Sequence, residues 1–334
     1  MPYDKRKATQ TPMRVLVTGC AGFLGMHCAL RLLARGDEVF GADSLSPYYS
    51  VELKRDRLSR LEANAAFRFE PIDLAQSEPL ARLYDALRPE AVLHLAAQPG
   101  VRYSLENPAS YIQSNLVAFA NLLECCRRHA PRHLVYASSS SVYGVNAKLP
   151  WSEADRVDEP ISLYAATKKA NELMAHVYSH LHGLPATGLR YFTVYGPWGR
   201  PDMSPMLFAR AILEGKPIQV FNHGDMRRDF TYVDDAVEAT MRVLDRPPGA
   251  TPPARVLNVG NRQPVALLEY IALLERALGR TALKEMKPMQ PGDVPATYAN
   301  TQALEALTGF APATPLAEGL ARFADWFRRY YRYA

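Results

Sequence analysis

The sequence has few of the features that define several other protein classes. Its 334 residues include only four cysteines, Cys20, Cys28, Cys125 and Cys126, and none of them has the spacing of zinc ligands. Reduced packing cysteines are typical of cytoplasmic proteins, so we expect a cytoplasmic location. No apolar run approaches the roughly 18 residues that a membrane-spanning helix needs. The charged segment 1–12 resembles a tail rather than a signal peptide, and we expect no membrane partner.

Strong charge of either sign is also missing. The chain has 39 Lys and Arg against 34 Asp and Glu, a formal net charge of +5. This weak basic bias suits a small phosphorylated anion, and without a basic stripe interleaved with aromatics we expect no nucleic-acid partner. Three histidines, His176, His180 and His182, lie close together in the sequence but lack a supporting carboxylate, so we predict no metal site.

The first half of the chain does contain a regular alternation of short apolar runs and helical periods. The runs include "RVLVTG", "EVFGAD", "AVLHLAA" and "HLVYASS". This pattern predicts an α/β fold with a Rossmann-type doubly wound parallel sheet, followed by a smaller C-terminal α/β substrate lobe. We assign 13–192 to a nucleotide-binding domain, to which we expect 231–259 to return. The segments 193–230 and 260–334 then form the substrate lobe.

A glycine-rich turn follows the first predicted strand. The stretch "TGCAGFLG" places Gly19, Gly22 and Gly25 between a strand and a helix, where backbone amides approach a pyrophosphate. Asp43 ends the second strand 18 residues after Gly25, a spacing that suits an acid bound to the adenine ribose. Because the acid repels a 2′-phosphate and no arginine stands beside it, we predict NAD rather than NADP. A second acid, Asp73, is a candidate for the adenine end.

A tyrosine and a lysine form the candidate proton-transfer pair. In "YAATK", Tyr164 and Lys168 are four residues apart, on one face of a predicted helix. A nearby ammonium favours the phenolate and lowers a tyrosine pKa that is otherwise near 10. Four consecutive serines in "ASSSSVYG" end the preceding strand, and a hydroxyl there is placed to share the substrate's proton.

Together, these motifs resemble the nucleotide-sugar branch of the extended short-chain dehydrogenase/reductase family over nearly the whole chain past residue 13. The resemblance implies a domain that binds NAD and a lobe that binds a UDP- or dTDP-sugar. It also implies that Tyr164 is the base, that Lys168 positions the nicotinamide ribose, and that Ser139 is the helper hydroxyl. The helix near 108–129 and the helix of Tyr164 resemble the pair through which this family forms a homodimer. The expected cofactor contacts are Gly19, Gly22, Phe23, Leu24, Gly25, Asp43, Asp73, Leu74, Ala96, Ala97, Gln98, Asn115, Lys168 and Tyr191.

The serine run indicates which reaction to expect. Members of the family that dehydrate the sugar resemble T-D-E-V-Y-G at this strand end, and those that decarboxylate a UDP-uronic acid usually carry Glu just before V-Y-G. Here Ser140 and Ser141 stand in those places, and serine is no acid or base near neutral pH. The resemblance therefore implies a 4-epimerase: hydride leaves C4, a 4-keto sugar forms, and hydride returns to its other face. NAD is recycled and stays bound.

The sugar is indicated by the strand after the catalytic helix. Galactose-type epimerases resemble R-Y-F-N there, whereas this chain has "RYFTVYGPWGRPDM", which resembles the UDP-glucuronate 4-epimerases. Thr193 replaces the Asn, and the C6 carboxylate needs charge-assisted donors, for which Arg200 and Arg102 are the candidates. In the nucleotide half, Arg228 and Asp293 match the family's phosphate and ribose anchors. The expected substrate contacts are Arg102, Ser139, Ser140, Ser141, Tyr164, Thr193, Arg200, Gln219, Phe221, Arg228 and Asp293.

The leading interpretation is therefore reversible C4 epimerisation of UDP-glucuronate to UDP-galacturonate. A UDP-hexose or UDP-N-acetylhexosamine 4-epimerase is the first alternative. A UDP-uronate decarboxylase and a non-catalytic NAD-binding scaffold are the others, and the scaffold has no need of the Tyr164 base.

Overall fold

The computed structural model describes residues 12–290 and 292–333, so the predicted tail lies outside the described residues except for its last residue. In the described part, we find no helix long and apolar enough to cross a membrane. The strands are β1 (Arg14–Thr18), β2 (Glu38–Asp43), β3 (Phe67–Pro71), β4 (Ala91–His94), β5 (His133–Ser139), β6 (Ala186–Tyr191), β7 (Thr193–Tyr195), β8 (Pro217–Val220), β9 (Arg227–Tyr232), β10 (Ala254–Val259), β11 (Pro264–Ala266) and β12 (Leu283–Met286). The helices are α1 (Phe23–Arg35), α2 (Val51–Glu62), α3 (Ser77–Leu87), α4 (Tyr103–Glu106), α5 (Pro108–Tyr111), α6 (Ala118–Arg128), α7 (Leu163–His182), α8 (Ser204–Leu213), α9 (Val233–Leu244), α10 (Leu267–Leu278), α11 (Gln302–Thr308) and α12 (Leu316–Tyr331).

The main sheet has seven parallel strands in the order β10-β6-β5-β4-β1-β2-β3. The strand order reverses between β1 and β4, and ligands of such sheets bind outside the carboxyl ends of the strands at this point. Strands β4 and β6 are buried along their whole length, as expected for strands covered on both faces. The predicted Rossmann-type α/β fold is confirmed.

Two small sheets contain the five strands outside the main sheet. Strand β9 pairs with β7 in parallel and with β11 in antiparallel orientation, and β8 pairs with β12 in parallel. Strand β10 returns to the edge of the main sheet beside β6, and α9 packs against α1. One apolar cluster joins Val15 and Leu93 of the main sheet to Phe323 and Phe327 of α12. This cluster runs across the predicted domain boundaries, which stay a prediction.

The helix predicted from 108 to 129 is helical throughout but not uniform. A π-helical segment, Ile112–Val117, lies between α5 and α6. Single π turns inside α-helices often occur at functional sites, because the extra residue changes which side chains point inward. Here the π segment contains Asn115, whose side chain is buried at 1% exposure.

Candidate active site

A cavity of about 1020 Å³ lies where the strands of the main sheet end. Its lining includes residues that follow or end β1, β2, β3, β4, β5 and β6, together with residues of the predicted substrate lobe. Every predicted site residue except Asn115 lines this cavity. The fold therefore gathers residues from 19 to 293 around one space.

The glycine turn has no room for side chains. Gly19 has φ +72°, and a Cβ added there would lie 2.6 Å from the backbone nitrogen of Ala96. A Cβ on Gly25 would lie 2.0 Å from the carbonyl oxygen of Gly19. Gly22 precedes α1 and provides no side-chain cap, so the first amides of the helix remain available to an anion. This part of the cavity fits the pyrophosphate of a dinucleotide.

The acid at the end of β2 is held in place by the turn itself. Asp43 Oδ2 accepts a hydrogen bond from Ala21 N at 3.1 Å, and Oδ1 accepts one from Leu45 N at 2.8 Å. Burial raises the pKa of this carboxyl, while the Leu45 amide and the Lys54 ammonium act in the opposite direction. Lys54 is itself buried and lines the cavity, and sequence reasoning missed it because it lies 11 residues downstream on α2.

Two of the remaining predicted cofactor contacts are tied to other groups. Asn115 stands behind the cavity wall: its Oδ1 accepts from Gln98 N at 2.8 Å, and its Nδ2 donates to Gln98 O at 3.1 Å. Its role is therefore to hold the strand-end segment that lines the cavity. Tyr191 lines the cavity, but its hydroxyl is hydrogen-bonded to Thr240 of α9 at 2.7 Å.

The proton-transfer residues meet at the end of β5. Ser162 begins α7 by accepting a hydrogen bond from Ala165 N, and this cap fixes the first turn, which carries Tyr164. Lys168 follows one turn later and donates to the Ala137 carbonyl of β5 at 2.8 Å. Burial lowers the pKa of Lys168 to about 8. The sequence prediction that the lysine lowers the tyrosine pKa stays a prediction, and in this arrangement the ammonium is directed at a backbone carbonyl.

The pKa of Tyr164 reflects a balance between burial and two neighbours. Burial raises it, and the Ser139 hydroxyl and the Arg200 guanidinium lower it without outweighing the burial. The tyrosine is therefore protonated near neutral pH until a further positive charge arrives. Arg200, which was predicted as a ligand of the substrate carboxylate, lines the same cavity as Tyr164, and the two groups influence each other electrostatically.

The four serines have different environments. Ser138 is buried and donates to Glu172 Oε1 at 2.6 Å, beside the buried ion pair of Arg190 and Glu172, so it is a structural residue. Ser139 accepts from Ser141 N at 3.2 Å and ends β5. Ser140 and Ser141 form a 3₁₀ turn that lines the cavity next to it. All four serines line the cavity, but the hydroxyl of Ser138 is committed to Glu172.

Arg200 is not a free guanidinium. Its Nε donates to Asp202 Oδ1 at 3.1 Å and its Nη2 donates to Oδ2 at 2.6 Å, while Tyr48 OH also donates to Oδ2 at 3.1 Å. Burial opposes ionisation of Asp202, but the charge of Arg200 outweighs it and holds the pKa of the carboxyl below its usual range. Sequence reasoning missed Asp202, although the motif "GRPDM" contains it. An acidic residue near an arginine that is assigned to the substrate carboxylate does not by itself indicate a site residue.

The two candidate arginines lie in different groups of contacts. Arg102 pairs with Asp293 at 3.3 Å, and its guanidinium lies 4.8 Å from the centre of the Phe221 ring. The pKa of Arg228 depends on both Arg102 and Asp293. Burial lowers this pKa, Asp293 raises it, and Arg102 lowers it. Arg102 therefore belongs with the predicted nucleotide anchors. Gln219, on β8, also lines the cavity.

Comparison with known proteins gives one consistent result. Residues 15–260 match the family model described as "NAD dependent epimerase/dehydratase family". A probable UDP-glucuronate 4-epimerase from Rhizobium meliloti is 49% identical over 96% of this chain and 99% of its own length. UDP-glucuronate 4-epimerase 2 from Arabidopsis thaliana is 46% identical over 98% of this chain and 78% of its own length.

A solved structure shows the same fold with both ligands. The crystal structure of UDP-glucuronic acid 4-epimerase from Bacillus cereus in complex with UDP-glucuronic acid and NAD superposes with a TM-score of 0.87 at 34% identity. The match covers 96% of this chain and 100% of that one.

Proposed function

The chain belongs to the NAD dependent epimerase/dehydratase family, and we propose that it interconverts UDP-glucuronate and UDP-galacturonate by epimerisation at C4. The observation that carries this proposal is the presence of Tyr164, Ser139 and Arg200 in one part of one cavity. We assign the base to the C4 hydroxyl and the cation to the C6 carboxylate of one sugar ring.

The chain's own residues account for the proton transfers. Tyr164 takes the proton of the C4 hydroxyl, and the Ser139 hydroxyl beside it shares that proton. The phenolate is favoured by positive charge in the cavity, and Arg200 supplies part of it. Lys168, anchored on Ala137, positions the nicotinamide ribose. NAD, when bound, supplies the hydride acceptor for C4 and an additional positive charge. When the 4-keto sugar is reduced on its other face, Tyr164 returns the proton.

At the end of β5, where elimination would need a carboxylate, the described residues are serines. Ser140 and Ser141 stand at the strand end, so no group there removes the C5 proton. Asp202 lines the cavity, yet it is held ionised by Arg200 and is hydrogen-bonded by Tyr48. These bonds occupy it, so the chemistry stops at C4.

The 4-keto intermediate of a uronate is a β-keto acid, which loses CO₂ readily. Loss of CO₂ requires the breaking C–C bond to align with the π system of the ketone. We propose that Arg200, with Thr193 and the hydroxyls of Ser140 and Ser141, holds the carboxylate out of this alignment. The Nη1 group of Arg200 is directed to no hydrogen-bond partner in the described residues, and it is the donor that we assign to the carboxylate.

The group formed by Arg102, Arg228 and Asp293 suits a nucleoside diphosphate. Two guanidiniums, Arg102 and Arg228, lie near one carboxylate, Asp293, which leaves a net positive charge. A diphosphate neutralises this excess through charge-assisted hydrogen bonds. Phe221, beside Arg102, and Gln219, two residues before it, line the cavity and are assigned to the uridine and its ribose.

The deciding experiment uses purified protein and UDP-glucuronate without added NAD, with products resolved by NMR or chromatography. Formation of UDP-galacturonate without UDP-pentose establishes both the epimerase and its bound NAD. UDP-pentose with CO₂ would show decarboxylation instead. Turnover of UDP-glucose or UDP-N-acetylglucosamine alone would replace the uronate by an uncharged sugar.

We also propose that the protein is a homodimer that uses α7. Leu173, Val177 and Leu181 repeat every four residues on this helix and are 55%, 48% and 65% exposed. An apolar stripe of this spacing needs a partner, and a second copy of the same helix offers an identical stripe.

The four free cysteines are all buried, which supports a cytoplasmic location.

Light scattering on the protein and on a Leu173→Glu/Leu181→Glu variant tests the dimer. We expect the native mass to correspond to two chains and the variant mass to one. Leu283→Glu is the matched control, since Leu283 is 58% exposed on β12, and it should leave the mass unchanged. A native monomer would refute the proposal.

A further inference from the structure

A fully buried arginine lies next to the site without being part of its lining. Arg57, on α2, has 0% exposure, and it forms no ion pair with a carboxylate of the described residues. Each of its terminal nitrogens instead donates twice. Its hydrogen-bond acceptors are backbone carbonyls and a phenol, although its charge also acts on the Asp43 carboxylate. This is an expensive arrangement, because a buried charge is normally hydrogen-bonded to a charged partner.

The four acceptors of Arg57 come from three separate segments. Nη1 donates to the Ala21 carbonyl of the glycine turn at 3.0 Å and to Tyr49 OH at 2.7 Å. Nη2 donates to the Trp198 carbonyl at 2.7 Å and to the Gly199 carbonyl at 3.0 Å. One planar group thus connects the dinucleotide turn to the loop immediately before Arg200.

That loop is held in an uncommon conformation. Trp198 has φ +63°, a left-handed backbone that costs free energy in any residue except glycine. Its ring packs against Trp326 and Tyr330 of α12, and the Arg60 guanidinium lies 5.1 Å from its centre. The carbonyls that Arg57 holds belong to Trp198 and to Gly199, and the next residue is Arg200.

We propose that Arg57 is a positioning residue that fixes Arg200 relative to the dinucleotide turn and thereby sets the preference for a UDP-uronate over an uncharged UDP-hexose. The inference rests on the proposed function, because it assigns the C6 carboxylate to Arg200. The physical reason is the shape of the guanidinium: its four terminal N–H groups diverge in one plane and reach acceptors on both sides. A lysine ammonium in the same place is a single point and cannot span them.

Arg57→Lys is the principal variant, because it keeps the charge and most of the stem. Calorimetric titration of the NAD-loaded protein should show a Kd for UDP-glucuronate that rises about tenfold or more, since small misplacements of a binding group have effects of this size. The Kd for UDP-glucose should change less than about twofold on the same reasoning. Arg55→Lys is the matched control, since Arg55 is exposed on the same helix.

Hydrogen exchange gives a readout that needs neither substrate nor turnover. In Arg57→Met, amides of residues 196–203 should exchange about tenfold faster than in the native protein, because the loop loses two of its anchors. Arg55→Met should leave them unchanged. Exchange rates of 196–203 within about twofold of the native values would overturn the proposal.

An equal rise of both Kd values in Arg57→Lys would also overturn it, since a merely structural role impairs both sugars alike. A native protein that binds UDP-glucose but not UDP-glucuronate would refute the proposed function. The exchange experiment would then still decide whether Arg57 holds the loop.

Discussion

Replacement of Arg200 by methionine removes the cation that we assign to the uronate carboxylate while keeping a side chain of similar length. In the structure, Arg200 donates twice to Asp202, at 3.1 and 2.6 Å. The variant therefore leaves Asp202 without its cation and the arriving carboxylate without its donor. A charged group left unpaired in a buried site costs about 3 to 5 kcal/mol.

Each 1.4 kcal/mol corresponds to a factor of ten, so kcat/KM for UDP-glucuronate should fall about 100-fold to 4000-fold. The glycine turn and Asp43 are untouched, so the bound NAD should remain. The assay measures UDP-galacturonate by chromatography, and the NAD content is measured by absorbance after acid release. Arg262→Met is the control, because Arg262 forms a 2.7 Å ion pair with Glu305 on the surface, and such a pair should matter little. Equal loss of NAD and activity, or a loss below threefold, would refute the reasoning.

Three further predictions concern the base, the turn and the pH dependence. Tyr164→Phe should lower kcat by about 10²–10⁴-fold, as for the loss of a general base, without releasing NAD; a smaller loss would mean that another group takes the proton. Gly25→Ala places a Cβ 2.0 Å from the Gly19 carbonyl, so it should reduce NAD retention and lower stability by about 1–3 kcal/mol, whereas Gly249→Ala, with open space around it, should do neither. His133 is buried between the Leu244 carbonyl and Thr187, and burial lowers its pKa to about 4, below its ordinary value of about 6.5. The unfolded chain therefore binds the extra proton first, and stability is lost as the pH falls from about 6.5 to 4, by up to about 3 kcal/mol. Urea unfolding should show that His133→Gln, which cannot be protonated, loses less stability between pH 7 and pH 5 than the native protein; an equal loss would exclude His133.

The sequence by itself determined the features that depend on short spacings. Alternating apolar runs and helical periods predicted the parallel sheet, because each element's pattern depends on its own residues. The glycines after β1, Asp43 after β2 and the serines after β5 fall at strand ends, and parallel strands bring such ends to one edge. Helical periodicity is also a local pattern, so the spacing of four residues was enough to place Tyr164 and Lys168 on one face of a helix. The predicted fold, the NAD requirement and the leading function were thereby within reach of the sequence.

Only the tertiary structure decided how these residues are paired. Asp202 restrains Arg200, and its second partner, Tyr48, comes from a segment more than 150 residues earlier in the sequence. Arg102 pairs with Asp293, and the Ser138 hydroxyl bonds to Glu172 although Ser138 lines the cavity with its neighbours. These contacts depend on the packing of elements distant in the chain, and no local pattern records them. The charge environment of the site, including the pKa of Tyr164, follows from that packing and from burial.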